Sequence, residues 1–223
     1  MGTLYLVRHG QASFGADDYD QLSPLGERQS QRLGEYFRAH GIHFDMVLTG
    51  TLRRQQQTWA GIAQGMQSRV VAQAWPGLNE YDSQALIEAL QTPAPPMPLD
   101  SPEGYRQHFR QLRQALQAWM AGELAPAGMP SFADFAARAQ AALAHVQQHC
   151  HGHALIVSSG GPIATVLGQW LGSPHATVVE LNLRLRNTAV SEVQFSPRRQ
   201  ILISLNTLPH LTSPELADWI TYA

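Results

Sequence analysis

The sequence contains no lysine and only one cysteine among its 223 residues. All 15 of its permanent cations are therefore arginines, which excludes a lysine Schiff base and the lysine of a phosphate-binding P-loop. Cys150 alone can form neither an internal disulfide nor a metal site built from several cysteines. Because a chain of this length buries about 70 % of the surface that its unfolded form exposes, it needs no such crosslink to fold.

An excess of charge and long apolar runs are also missing. The formal net charge of −2 argues against a general nucleic-acid-binding surface. No stretch approaches the roughly 18–20 apolar residues of a membrane span. Residues 1–6 lack the basic start and apolar run of a signal peptide. We therefore expect a cytoplasmic protein with neither nucleic-acid nor membrane partners, and the sequence leaves open whether it forms a homodimer.

Short β-forming runs alternate with helical periods along the chain. Buried strands are predicted at residues 3–7, 46–49, 70–72 and 154–157. Helices are predicted at residues 24–39 and 52–66, after Ser131, and after Gly160. This alternation predicts an α/β fold, a three-layer α/β/α sandwich with a mostly parallel sheet. Residues 189–195 and 201–205 alternate in polarity and predict an antiparallel pair at one edge.

One domain spanning residues 1–223 is expected, with a helical insertion or lid at about residues 82–130. Five prolines between Thr92 and Gly104 predict an extended loop there. A single apolar helical stripe follows, formed by Tyr105, Phe109, Leu112, Leu116, Trp119 and Met120. We expect this stripe to pack in the core or in a lid rather than to bind a cofactor.

Chemically useful side chains follow each of the four predicted parallel strands. In open α/β sheets, ligands bind beyond the carboxyl ends of the strands. The residues found there are Arg8, His9, Gly10 and Gln11; Arg53 and Arg54; Asn79 and Glu80; and Ser158, Ser159, Gly160 and Gly161. Guanidinium groups and backbone N–H groups match the oxygens of a phosphoryl group and stabilise its charge during transfer. The set therefore indicates a phosphate ester as substrate.

Roles follow from the chemistry of each side chain. His9 is the candidate nucleophile, and nearby Arg8 and Arg54 would keep it neutral by disfavouring its protonation. Glu80 is the candidate acid and base, which protonates the leaving alcohol and later takes a proton from water. Since arginines supply the positive charge, neither a metal ion nor another cofactor is expected.

The segment Leu6–Gln11 resembles the signature of the histidine phosphatase superfamily, also called the phosphoglycerate mutase-like family. Further segments resemble the same family in the same order: residues 22–26, 52–58, 77–80 and 157–161. The resemblance covers about residues 3–205 and implies a phosphatase with a phosphohistidine at His9. It implies a phosphate-binding role for Arg54 and a proton-donor role for Glu80.

The chain departs from the family pattern at several positions. Ser159 stands where the family usually has a second histidine that holds the transferring phosphate, and a serine offers one neutral hydrogen bond instead. Ser159→His is therefore expected to raise activity. Ala12 and Gly15 replace the common Thr or Ser and Asn, which leaves Ser13 as the nearest hydroxyl. Arg8, Gln11, Ser13, Arg54, Ser159 and Gly160 form the expected phosphate- or substrate-binding set.

Three alternatives remain open on sequence alone. A cofactor-dependent phosphoglycerate mutase is disfavoured because Tyr81-Asp82 follows Glu80 where that branch usually has Arg and a basic segment. A phosphate- or phosphopeptide-binding module would result if turnover were lost with the second histidine. A zinc site within residues 145–153, which hold four histidines and Cys150, is less favoured than a histidine-rich helix end entering a turn.

Overall fold

The computed structural model describes residues 1–13, 20–90, 101–196 and 198–222. Its strands are β1 (Gly2–Arg8), β2 (Met46–Thr49), β3 (Gln73–Ala74), β4 (His153–Ser158), β5 (Val190–Ser196) and β6 (Arg199–Thr207). They form one sheet in the order β3-β2-β4-β1-β5-β6. The first four are parallel, whereas β5 pairs antiparallel with β1, and β6 antiparallel with β5. The predicted α/β fold with an antiparallel edge pair is thus confirmed.

The third strand forms at Gln73–Ala74, and its prediction at residues 70–72 was wrong. Val70 and Ala72 are half-buried against the core, and Val71 is 89 % exposed. The strand is defined instead by pairing of Gln73–Ala74 with the end of β2. Because neighbouring-strand hydrogen bonds rather than local apolar residues select these two positions, the local pattern misplaced the strand.

Seven α-helices are present in the described residues: α1 (Pro24–Ala39), α2 (Arg53–Met66), α3 (Ser83–Glu88), α4 (Pro102–Met120), α5 (Phe132–His149), α6 (Gly160–Trp170) and α7 (His175–Arg184). Ser23 caps α1 by accepting a hydrogen bond from the N–H of Gly26, with Pro24 at the first helical position. The short α3 and α7 had no separate prediction.

The extended loop predicted for Thr92–Gly104 ends earlier than expected. Ser101 caps α4 by accepting from the N–H of Gly104, and Pro102 occupies the first helical position, where its missing N–H costs nothing. Residues 101–104 are therefore the start of a helix. The rest of the loop prediction, from residue 92 to residue 100, lies outside the described residues.

Helices cover both faces of the sheet because successive strand side chains point to opposite sides. Tyr5 and Val7 of β1 pack with α1 and α2, whereas Leu4 and Leu6 pack in the larger core with the helices from α4 to α7. The stripe on α4 enters that core at its C-terminal end, where Trp119 is 2 % exposed. None of the helices described combines the length and apolar character required to cross a membrane.

Candidate active site

His9 follows directly on β1 and lies at the carboxyl edge of the sheet. Its backbone N–H donates to the carbonyl of Ser158 at 2.9 Å, and the residue is 3 % exposed. Nδ1 lies 2.8 Å from the carbonyl oxygen of Gly10, which can only accept, so Nδ1 carries the proton. Nε2 therefore keeps a lone pair, as a nucleophile requires.

The surroundings of His9 keep its imidazole neutral. Burial lowers the pKa of His9 well below the usual value, and the guanidinium groups of Arg8 and Arg54 lower it further. The hydrogen bond with Gly10 opposes these effects without outweighing them. The ring is thus uncharged near neutral pH, and its Nε2 can attack an electrophile.

Arg54 stands in the first turn of α2 and reaches the reactive nitrogen of His9. Its Nε donates to Nε2 of His9 at 3.3 Å, and its Nη1 forms an ion pair with Oδ1 of Asp20 at 2.6 Å. The other oxygen of Asp20 accepts from the backbone N–H of Arg53 at 2.9 Å. Asp20 therefore holds both the helix start and the guanidinium group. Arg53, unlike Arg54, is exposed.

Arg8 provides a second guanidinium group at the end of β1. Its Nη1 donates to the carbonyl oxygen of Leu185, and the residue is 8 % exposed. The charges of Arg8 and Arg54 affect the pKa of both His9 and Glu80. The two cations, the imidazole and the carboxyl group thus lie close enough to affect one another's charge, and such a group of donors favours an anion with several oxygens.

Glu80 is held by the start of α6, within the electrostatic reach of both arginines, and is suited to donate a proton. Its carboxyl oxygens accept from the backbone N–H of Gly161 at 3.0 and 3.1 Å. Burial raises the pKa of Glu80 above its usual value, although the N–H of Gly161 and the charges of Arg54 and Arg8 oppose the rise. A carboxyl group with a raised pKa keeps its proton to higher pH, as a general acid must.

Buried hydrogen bonds outside the predicted set hold the backbone of the His9 loop. The N–H of Gly10 donates to the hydroxyl of Thr58 at 2.9 Å, and that hydroxyl donates to the carbonyl of Arg54 at 2.7 Å. The side-chain amide of Asn187 donates to the carbonyl of His9 at 3.1 Å. Thr58 lies within the segment that carries Arg54, so the motif could have indicated it. Asn187 had no signal in the sequence.

Ser159 connects β4 to α6, and Gly160 is the first residue of α6. Ser159 is fully buried, at 0 % exposure, and its hydroxyl accepts from Nε2 of Gln55 at 2.8 Å. A Cβ atom on Gly160 would lie 2.5 Å from Oδ1 of Asn182, so the close approach of this side chain requires glycine. Gln55 was not among the predicted site residues, because its contact with Ser159 spans 104 positions of the chain.

Gln11 and Ser13 continue away from His9 along the chain. The side-chain oxygen of Gln11 accepts from the hydroxyl of Ser23 at 2.7 Å, so this end of the side chain supports the start of α1. The N–H of Ser13 donates to the carbonyl of Gln21 at 2.9 Å. Of the predicted residues, those that the structure gathers around the β1 and β4 ends are Arg8, His9, Arg54, Glu80, Ser159 and Gly160.

The histidine-rich segment at the end of α5 is explained by packing. The rings of His145 and His149 stack at 4.4 Å between centroids, and the ring of Trp75 lies 5.1 Å from that of His145. Across the described part of the chain, no three His, Cys, Asp or Glu side chains come together in a group that could hold a metal ion. The metal-free mechanism itself stays a prediction.

Comparison with curated proteins finds local similarity to phosphatases and mutases. A 95-residue stretch is 35 % identical to a broad-specificity phosphatase of Saccharomyces cerevisiae, over 40 % of this chain and 41 % of that protein. An 89-residue stretch is 36 % identical to a 2,3-bisphosphoglycerate-dependent phosphoglycerate mutase of Allorhizobium ampelinum, over 36 % of this chain and 42 % of that protein. The matched stretches thus span about two fifths of these relatives.

Similar folds and a family model extend the comparison over nearly the whole chain. A mutant phosphoserine phosphatase of Entamoeba histolytica in complex with phosphoserine has a TM-score of 0.64 at 20 % identity, over 95 % of this chain and 100 % of that one. A phosphoglycerate mutase of Bacillus anthracis has a TM-score of 0.65 at 17 % identity, over 94 % of both chains. The model of the histidine phosphatase superfamily (branch 1) matches residues 4–95 and 97–208. With this match across both halves of the sheet, the chain belongs to the histidine phosphatase superfamily.

Proposed function

We propose that the protein is a metal-independent phosphomonoester hydrolase that forms a phosphohistidine on Nε2 of His9. The observation that carries this proposal is the geometry of the His9 ring: Nδ1 faces the carbonyl oxygen of Gly10 at 2.8 Å, and the guanidinium group of Arg54 lies 3.3 Å from Nε2. The lowered pKa of His9, caused by burial and by the two arginines, supports a neutral ring. Arg54 thus lies beside the nitrogen of His9 that would attack phosphorus, where it can bind the phosphoryl oxygens.

The first step transfers the phosphoryl group to the enzyme. Nε2 of His9 attacks phosphorus, the bond from phosphorus to the ester oxygen breaks, and the leaving oxygen takes the proton of Glu80. Arg8 and Arg54 bind the phosphoryl oxygens and stabilise their charge in the transition state. Ser159 contributes one neutral hydrogen bond. After this step Glu80 is a carboxylate, and the alcohol leaves.

The second step returns the enzyme to its starting state. Glu80 takes a proton from water, the water oxygen attacks phosphorus, and the bond between phosphorus and Nε2 breaks. Inorganic phosphate leaves, and His9 is again a neutral imidazole with its proton on Nδ1. While phosphorylated, the His9 ring keeps its Nδ1 proton and carries a positive charge, which the carbonyl oxygen of Gly10 faces at 2.8 Å. Arg8 and Arg54 balance the negative charge of the phosphoryl oxygens, so the proposed steps call for no metal ion.

The substrate class supported best is a small phosphorylated molecule. The names of the relatives include a broad-specificity phosphatase, and one similar structure holds phosphoserine. Purified protein is tested on a panel of phosphomonoesters, including p-nitrophenyl phosphate, with excess chelator present. His9→Ala is expected to abolish phosphate release, whereas His43→Ala, which changes an exposed histidine, leaves it unchanged.

Trapping of the intermediate tests the mechanism directly. Brief incubation with a labelled substrate is expected to give a labelled protein whose label is stable in base and lost in acid, as a phosphohistidine is. His9→Ala prevents this labelling. Phosphate release that does not depend on His9, or release that stops when the chelator is added, would refute the proposal.

A mutase is the second candidate because one matched relative is a bisphosphoglycerate-dependent mutase. The two candidates differ in the acceptor of the phosphoryl group on His9. Labelled 2,3-bisphosphoglycerate is supplied together with 3-phosphoglycerate, and the label is followed. A phosphatase passes it to water, whereas a mutase returns it to a phosphoglycerate. Phosphate binding with neither outcome would indicate a binding module.

A further inference from the structure

We infer that Gln55 is a positioning residue that turns the hydroxyl of Ser159 into a hydrogen-bond donor for the phosphoryl group on His9. The contact that assigns this role is the bond from Nε2 of Gln55 to Oγ of Ser159 at 2.8 Å, with both residues at 0 % exposure. The inference rests on the proposed function and adds to it a residue that acts through Ser159.

The orientation of the Gln55 amide is fixed by its other contact. Nε2 also donates to the carbonyl oxygen of Leu78 at 2.9 Å. Because a carbonyl oxygen can only accept, the nitrogen of the amide and not its oxygen must face Leu78. The same nitrogen contacts Ser159, so Gln55 is the donor in that bond as well. The oxygen of the Gln55 amide points instead at Gly50, where a Cβ atom would lie only 1.8 Å from it.

This orientation determines what Ser159 can do. A hydroxyl group has one proton and accepts through its lone pairs. Since Gln55 donates to Ser159, the bond between them leaves the proton of Ser159 for another acceptor. Arg8 and Ser158 are the last paired residues of β1 and β4, so His9 and Ser159 each follow directly on the end of one of two neighbouring strands. A phosphoryl oxygen on His9 is the acceptor that the proposed reaction provides.

The contact also explains why a larger residue at position 159 is excluded. Gln55 occupies the space next to Ser159, and neither residue reaches solvent. A histidine ring at this position would collide with the Gln55 amide. The sequence predicts that Ser159→His raises activity; under this inference the gain appears only when Gln55→Ala is made in the same chain.

A double-mutant cycle tests the inference. Gln55→Met keeps the size and removes both donated hydrogen bonds, and Ser159→Ala removes the hydroxyl. Each single change is expected to lower kcat/KM for p-nitrophenyl phosphate by about 10- to 100-fold, as the loss of one hydrogen bond to a charged group does. The double variant is expected to lie within about 3-fold of Ser159→Ala, since Gln55 acts through Ser159.

Two controls separate positioning from general structure. Gln56→Met makes the same change at the exposed neighbour on α2 and is expected to leave kcat/KM unchanged. Leu78 lies two residues before Glu80. If Gln55 only supported the segment from Leu78 to Glu80, Gln55→Met would displace Glu80 and move the alkaline limb of the pH profile. We expect that limb to stay in place in Gln55→Met. The inference is overturned if the losses of kcat/KM in the two single variants multiply in the double variant, or if the alkaline limb moves in Gln55→Met.

Replacing Gln55 and Ser159 together, by Gln55→Ala with Ser159→His, gives an independent test based on activity. Ser159→His alone is expected to be at least about 10-fold less active than the wild type, and Gln55→Ala with Ser159→His is expected to recover at least that factor. A merely structural Gln55 would make the second change add to the damage. Melting temperatures of all variants identify any that fail to fold, and Gln55→Met remains as the variant that loses no volume.

The binding of inorganic phosphate, measured by calorimetry, separates failure of this inference from failure of the proposed function. If the wild type binds phosphate and the cycle shows the same coupling in affinity without His9-dependent hydrolysis, the proposed function fails and the positioning role stands. If hydrolysis depends on His9 but the cycle is additive, only the positioning role fails. A wild type that neither binds phosphate nor hydrolyses esters overturns both.

Discussion

His210 is expected to make the protein lose stability in mild acid. It is 5 % exposed, and its Nε2 lies 3.0 Å from the hydroxyl of Thr188. Burial, together with the charge of Arg32, lowers the pKa of His210 from 6.5 to about 3. Between these values the unfolded chain binds a proton at this residue that the folded chain does not. Stability therefore falls as the pH drops below about 6.5 and continues to fall until about 3.

The magnitude follows from the width of that interval. One pH unit corresponds to about 1.4 kcal/mol per proton, so the 1.5 units between the unfolded pKa of about 6.5 and pH 5 remove about 2 kcal/mol. For a chain of this size, that loss lowers the melting temperature by about 4–8 °C. Denaturant unfolding at pH 7 and pH 5 measures the difference for the wild type and for His210→Gln.

The comparison between variants isolates His210 from other titrating groups. His210→Gln keeps a donor near Thr188 and cannot titrate, so its stability should fall by about 2 kcal/mol less between pH 7 and pH 5 than that of the wild type. His151→Gln changes an exposed histidine and should retain the wild-type slope. Equal slopes for the wild type and His210→Gln would refute the reasoning, because the ring would then accept a proton in the folded state.

Three further predictions concern catalysis and packing. The pH profile of kcat/KM should have an acid limb from His9, below the usual pKa of histidine, and an alkaline limb from Glu80, above the usual pKa of a carboxyl group. Glu80→Gln should remove the alkaline limb and lower kcat by about 10²–10⁴. An alkaline limb that is unchanged in this variant would contradict the assignment. Gly161→Ala should lower kcat/KM by about 100-fold or more, because its Cβ atom would lie 2.1 Å from Oε1 of Glu80; steady-state kinetics with near-wild-type values would show that the carboxyl group is not needed there. Trp119→Ala should reduce the free energy of unfolding by about 3–5 kcal/mol, as urea denaturation would measure, and a loss below about 1 kcal/mol would show that this 2 % exposed side chain does not support the core.

Local sequence patterns predicted most of the elements but misplaced those that depend on distant partners. Ser23-Pro24 defined the start of α1, because a cap and a first-turn proline act within one turn of helix. The two-residue strand β3 was misplaced, since only its pairing with β2 distinguishes it from the chain before it. The apolar periodicity of α4 also failed to show that one end of its stripe is exposed, where Tyr105 is 42 % exposed. A periodicity identifies the apolar face of a helix but not the elements that cover it.

The candidate site divides in the same way. His9, Glu80 and the pair Arg53 and Arg54 could be named from the sequence because each follows a strand, and parallel strands end at one edge of a sheet. The family resemblance then selected Arg54 from the pair. The sequence also predicted a neutral His9, but only from the charges of Arg8 and Arg54. Burial, which the sequence does not give, is the largest cause of both the lowered pKa of His9 and the raised pKa of Glu80.

The sequence by itself determined which reactive groups the chain possesses and which strand each of them follows. Only the tertiary structure decided that Asp20 holds Arg54, that Asn187 holds the carbonyl of His9, and that Gln55 donates to Ser159. These pairs lie between 34 and 178 positions apart. Helix and strand periodicity reports on neighbours a few residues away, whereas such contacts exist only once the sheet and its helices have packed together.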